Sequence, residues 1–109
     1  MTYLTQLLNG PKEAFGALDY CFHYHKPEEH EGDYAIWKED SEEDFNSDNR
    51  KSERAIEGML DFYTLDDFNP KVDELEAVME SFGASWRLAS SEYEEQTNLI
   101  HYSWDWSLK

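Results

Sequence analysis

Cysteine, glycine and basic residues are scarce in this chain of 109 residues, and each scarcity closes off a class of protein. With Cys21 as the single cysteine, no intramolecular disulfide and no four-thiolate metal site can form within one chain. Five scattered glycines offer no phosphate-cradling loop; they fall at turns, in a strand and past a helix end. Nine Lys and Arg stand against twenty-five Asp and Glu, a formal charge of -16, and a field of that sign repels a bare nucleic-acid backbone. No apolar run is long enough to cross a bilayer. The opening "MTYLTQLLNGPKEAFG" also lacks the basic start and long apolar stretch of a secretory signal, so an intracellular product is expected, without membrane partners.

What is present is an aromatic, acidic chain. At 39% hydrophobic and 16% aromatic it can bury a core, and its length suits a single domain over 1–109. Six of the acids lie in "EDSEEDFNSDN", Glu39 to Asn49, so most of the acidity is spread over the rest of the surface. Such a surface suits basic partners, imitation of nucleic acid, or a wall past which DNA moves without sticking.

Periodicity orders the elements. Tyr3, Leu4, Leu7 and Leu8 recur at helical spacing behind Thr2, and Gly10 with Pro11 ends or kinks that helix. In "LDYCFHYH", Leu18, Tyr20, Phe22 and Tyr24 alternate with Asp19, Cys21, His23 and His25, which predicts a half-buried strand. "KPEEHEGD" reads as a polar turn and "YAIWKED" as a second strand. A third strand over "ERAIEGMLDFYTL" puts Ile56, Gly58, Leu60 and Phe62 on one face. "FNPKVDELEAVMESFG" is the clearest helix, with Asn69 as N-cap, Pro70 at the first helical position and Gly83 just past the end. A final hairpin groups Ile100, Tyr102, Trp104 and Trp106 with Trp86 and Leu88. The expected fold is α+β: a mostly antiparallel twisted sheet of about five strands with two helices on one face, in the order α-β-β-loop-β-α-β-β.

Three constellations invite chemistry. Asp44, Asn46 and Asp48 match the first positions of a calcium loop, but Asn49 replaces the glycine and Ala55 the bidentate glutamate that such a loop requires. His23 and His25, spaced to project from one strand face near His30, have the chemistry of a transition-metal pair; histidines on the polar face of an aromatic strand are more often surface residues. Cys21 near His23 lacks a third orienting group. No metal, cofactor or catalytic set is therefore assigned, and the chain is expected not to be an enzyme. The aromatics of "NLIHYSWDW" fit a core ladder, with Trp104 and above all Trp106 as candidate subunit-interface anchors.

From "IEGMLDFYT" through "NPKVDELE", "GASW" and the closing hairpin Tyr93 to Trp104, the chain resembles the tail terminator, or tail-to-head joining, proteins of long-tailed bacteriophages and prophages. The resemblance implies a non-enzymatic virion subunit. Such subunits form a ring, usually a hexamer, that stops growth of the tail tube and meets the head connector protein; DNA is only a strand passing down the channel. It places the protein at the head–tail junction of the virion, assembled in the host cytoplasm. It also implies a loop between strands two and three, about 39–53, that is mobile in the monomer and ordered in the ring. Like-signed charge makes such a loop extended on independent grounds, and neighbouring subunits can offset its ordering cost. Glu42, Asp44, Phe45, Asp48, Arg50, Lys51 and Arg54 are its candidate contacts, the basic three pairing with a neighbour's carboxylates. The alternative reading is an acidic DNA mimic that inhibits a host DNA-binding protein, which requires carboxylates in phosphate-like rows; Asp73, Glu76 and Glu80 are the residues to test. An immunity or adaptor protein of the same α+β class would present a similar sequence.

Overall fold

The structure is a computed structural model and describes residues 3–39 and 56–108. Along the chain run α1 (Tyr3–Gly16), β1 (Cys21–His23), β2 (Tyr34–Glu39), β3 (Ile56–Thr64), α2 (Lys71–Ser81), β4 (Ser85–Glu94) and β5 (Leu99–Leu108). The strands form one sheet in the order β1-β2-β3-β5-β4.

The long strands follow their hydrophobic alternation. In β3, Ile56, Gly58, Leu60, Phe62 and Thr64 are buried while the residues between them are not. Register then aligns Trp37, Leu60, Trp104 and Leu88 across four strands, and Gly58 with Trp106 and Trp86. These residues share one sheet face, and both helices pack on it. Phe15 of α1 stacks on Trp37 at 5.3 Å between ring centroids, and Phe82, just past α2, meets Trp106 edge-on at 5.8 Å. Leu75 and Met79 of α2 complete the core. An aromatic-rich core of this kind buries large area per residue, as a small domain needs.

Both ends of α2 are as the sequence predicts. Pro70 is already helical (φ -64°, ψ -14°), and the Asn69 Oδ1 accepts the Lys71 backbone N–H at 2.9 Å, which is the capping bond. At the other end Gly83 takes φ 85°, and the Ala84 and Gly83 amides donate to the Met79 and Glu80 carbonyls, closing a Schellman turn. In α1, by contrast, Gly10 and Pro11 do not end the helix. Gly10 lets Phe82 approach, since a Cβ at that position would lie 3.2 Å from the Phe82 Cβ, and Pro11 is buried. Packing of Phe15 beyond them holds the last turn in place against the proline's preference.

The sheet is mixed, not purely antiparallel. β2–β3, β3–β5 and β4–β5 pair antiparallel, but β1 pairs with β2 in parallel register. The cause lies at Tyr24, whose φ of 73° turns the backbone out of the strand after only three residues. The stretch that reads as a polar turn is therefore a return crossing, as a parallel pair requires. It is braced by His30 Nε2 donating to the Asp33 carbonyl (2.9 Å) and by Lys26 donating to the Pro27 and His30 carbonyls. The expected facing of β1 is also inverted: Cys21 pairs with buried Ala35 on the core side, and Phe22 lies on the other face.

Candidate functional site

With both helices on one side, no described helix covers the opposite sheet face, and its centre is aromatic. Register places Tyr34, Tyr63 and His101 side by side on β2, β3 and β5. Their rings stack in series, Tyr34 on Tyr63 at 4.8 Å and 20° and Tyr63 on His101 at 4.3 Å and 15°. His101 Nε2 donates to Asp61 Oδ1 at 3.0 Å, which fixes the imidazole plane. Lys26 lies 5.4 Å over the Tyr34 ring, a cation–π contact. Burial and then the Asp61 charge push the Tyr63 phenol up to about 12, so it stays a neutral hydrogen-bond donor. Phe22 and Ile36 continue the apolar strip toward β1. Toward the opposite end, Met59 lies between Lys38 and the Arg87–Asp105 ion pair (2.7 Å). The result is a half-buried, ring-lined surface with charges at its margins, of the composition that protein interfaces favour.

The sequence-derived interface candidates divide between two places. Glu42, Asp44, Phe45, Asp48, Arg50, Lys51 and Arg54 lie outside the described residues, as does the calcium-loop match and most of the predicted mobile loop. Glu39, at the start of that stretch, belongs to β2. Trp104 and Trp106 are 0% and 2% exposed in the core, so neither indole offers surface to a neighbour in this monomer.

The two histidines paired by spacing are separated by the turn at Tyr24. His23 stacks on Trp37 at 4.0 Å and donates from Nε2 to Glu39 at 2.8 Å, whereas His25 follows the left-handed residue and is exposed. Among the described residues no three His, Cys, Asp or Glu side chains converge to hold a metal ion. Burial, followed by the charges of Glu74 and Asp19, pushes the Cys21 thiol up to about 12; at neutral pH it is a protonated core residue and not a nucleophile. Among the described residues no helix is long and apolar enough to cross a membrane.

A second constellation joins β2, β3 and α2. Asp33 accepts hydrogen bonds from Thr64 Oγ1 (2.8 Å) and Asn69 Nδ2 (3.0 Å) and pairs with Lys71 Nζ at 3.3 Å. Burial alone would raise its pKa, but the bonds from Thr64, Asn69 and Lys71 and the Lys71 charge together hold the carboxyl below its ordinary value. A carboxyl depressed in the folded state contributes stability above its unfolded value of about 4 and loses it as pH falls through the folded value. Asp33→Asn is thus expected to cost about 1–3 kcal/mol at neutral pH. In urea titrations the gap to wild type should narrow on acidification below about pH 4; a gap independent of pH would show that charge at Asp33 is irrelevant.

Alternation along the third strand and the closing hairpin puts Asp61, Tyr63 and His101 opposite the residues grouped there as one face. It does not join them, because the ladder exists only through pairings between strands distant in sequence. The fold defines a two-layer α+β protein with a five-stranded mixed sheet and two helices. No protein-family model matches the sequence, and no curated protein matches it.

Proposed function

We propose that the chain is a structural virion protein of the tail-terminator type, a non-enzymatic subunit that caps the tail tube as a ring and joins it to the head connector. Its resemblance over residues 51–106 to those phage proteins supports the reading. The single structural observation that carries it is the one-sided layering. Both helices cover one sheet face, and the other keeps a stacked Tyr34–Tyr63–His101 ladder available to a protein partner. An aromatic surface of rigid rings loses little conformational entropy on docking and supplies large contact area. The acidic exterior accords with a channel through which DNA passes without adhering.

The acidic-mimic reading draws less support from α2. Of its carboxylates, Glu74 accepts from the Tyr20 hydroxyl at 2.6 Å and Glu76 from the Trp104 indole at 3.0 Å, so these two serve the core and not a phosphate-like row.

The reading is tested by mixing the purified protein with purified tail tubes and imaging by negative stain. Rings at tube ends are expected, with loss of capping in Ile36→Asp and Tyr63→Asp variants that keep the wild-type circular dichroism. A protein that stays monomeric with tubes and never caps them would sink the proposal.

A further inference from the structure

The connection from β3 to α2 is built more firmly than a connector needs. Thr64 and Asn69 are 1% and 6% exposed, and Asn69 Nδ2 donates to both Asp33 and Thr64 while its Oδ1 caps α2. Thr64 Oγ1 also accepts the Asp66 backbone N–H at 3.0 Å. What this frame holds outward is apolar: Leu65 is 66% exposed and Phe68 91%. Phe68 moreover has φ 55°, a left-handed conformation that a bulky L-residue adopts only under constraint. Among the described residues neither the strain nor the exposed ring finds a contact that would repay it, and strain retained without such benefit points to use by something outside.

The same turn forms one wall of a groove of about 480 Å³. Leu65 and Asp67 line that wall, and Glu92, Tyr93, Ile100 and Tyr102 line the far side. Tyr93 is itself 59% exposed. The charges around this apolar surface have one sign. Asp66 and Asp67 sit on the turn and Glu92 in the groove, and among the described residues no Lys or Arg lines either. The first cation beyond the turn, Lys71, is engaged by Asp33 and by the Tyr20 ring at 5.3 Å.

We propose that the Phe68 turn and its groove are a docking site for a basic amphipathic segment of a partner protein. Apolar side chains of the segment cover Phe68, Leu65 and Tyr93, and its Lys and Arg meet Asp66, Asp67 and Glu92. Charge complementarity selects this occupant over a second copy, because the chain carries a formal charge of -16 and would bring acidic rims to an acidic rim. Of the groove residues, Glu92 stands opposite His101 of the open sheet face, whereas Tyr93, Ile100 and Tyr102 belong to the helix-covered face, and the proposal does not depend on the ring reading.

The test titrates the full chain, at physiological salt, into three fluorescently labelled synthetic peptides. They are a Leu/Lys amphipathic helix of about five turns, a Leu/Glu peptide of the same pattern, and oligolysine. Saturable binding of the Leu/Lys peptide alone is expected. Phe68→Asn, which suits the left-handed turn, should weaken it about tenfold or more while leaving the thermal midpoint equal to wild type or higher. Asp67→Asn with Glu92→Gln should weaken it and flatten its salt dependence. Equal binding of oligolysine would reduce the surface to bulk charge, and equal binding of the Leu/Glu peptide to apolar stickiness; either overturns the proposal. So does absence of binding, or binding indifferent to Phe68→Asn. Phe68-dependent self-association without peptide would assign the site to a second copy and overturn it as well.

Discussion

Gly58→Ala is expected to cost about 3 kcal/mol or more, although a single methyl group is all it adds. A Cβ at Gly58 would lie 2.2 Å from Trp106 Cζ2, 2.4 Å from Cε2 and 2.6 Å from the Lys38 carbonyl oxygen. The indole of Trp106 therefore lies across the β3 backbone where every other residue would place its side chain. The requirement is for space and not for an unusual backbone, since Gly58 sits within the regular β3–β5 register. Trp106 is buried between Phe82 and Trp37, so it cannot withdraw cheaply. The partner that must give way is thus either a large aromatic at the centre of the core or the β2 backbone. Urea denaturation followed by near-ultraviolet circular dichroism measures the loss. Trp106→Phe removes the ring atoms nearest the new methyl and also a buried indole N–H that has no partner among the described residues. In a double-mutant cycle it should recover about 1 kcal/mol or more of the Gly58→Ala cost. A Gly58→Ala protein as stable as wild type would show that the indole relocates freely, and would refute this account.

Trp104→Ala is expected to be comparably severe, about 3–5 kcal/mol. Trp104 is 0% exposed, aligned between Leu60 and Leu88, and stacked with Tyr102 at 6.0 Å. Its indole Nε1 donates to Glu76 Oε2 at 3.0 Å, tying α2 to the middle of the sheet. Trp104→Phe keeps a ring but leaves space and removes the donor, so about 1–2 kcal/mol is expected. Glu76→Gln keeps an acceptor and should cost less than about 1 kcal/mol. That ranking, measured by denaturant midpoint at constant slope, separates packing from hydrogen bonding. If Glu76→Gln proved as damaging as Trp104→Ala, the bond and not the burial would dominate.

Much of this architecture is legible in local pattern. The alternation of Ile56 to Phe62 and of Ile100 to Trp106, and the Asn69–Pro70 and Gly83 boundaries of α2, each depend on neighbours within a few residues. Failures occur where distant contacts outweigh local preference. Pro11 stays helical because Phe15 beyond it packs on Trp37 and Phe82. The β1 strand ends at His23 because Tyr24 turns left-handed, and the Tyr24 ring and Glu39 then close around His23. The tryptophans of "WDW", attractive as interface anchors by composition, are drawn inward because Gly58 opens a space across the sheet for one of them.

Charge, aromatic richness, the long strands and the ends of α2 were determined by the sequence alone, because each is a property of composition or of contacts close along the chain. The parallel β1–β2 pairing, the Tyr34–Tyr63–His101 ladder and the Asp33–Thr64–Asn69 frame that displays Phe68 were decided by tertiary structure. The physical reason is common to all three. Their members stand far apart in the chain, and only register between strands and docking of a helix bring them within stacking or hydrogen-bonding distance.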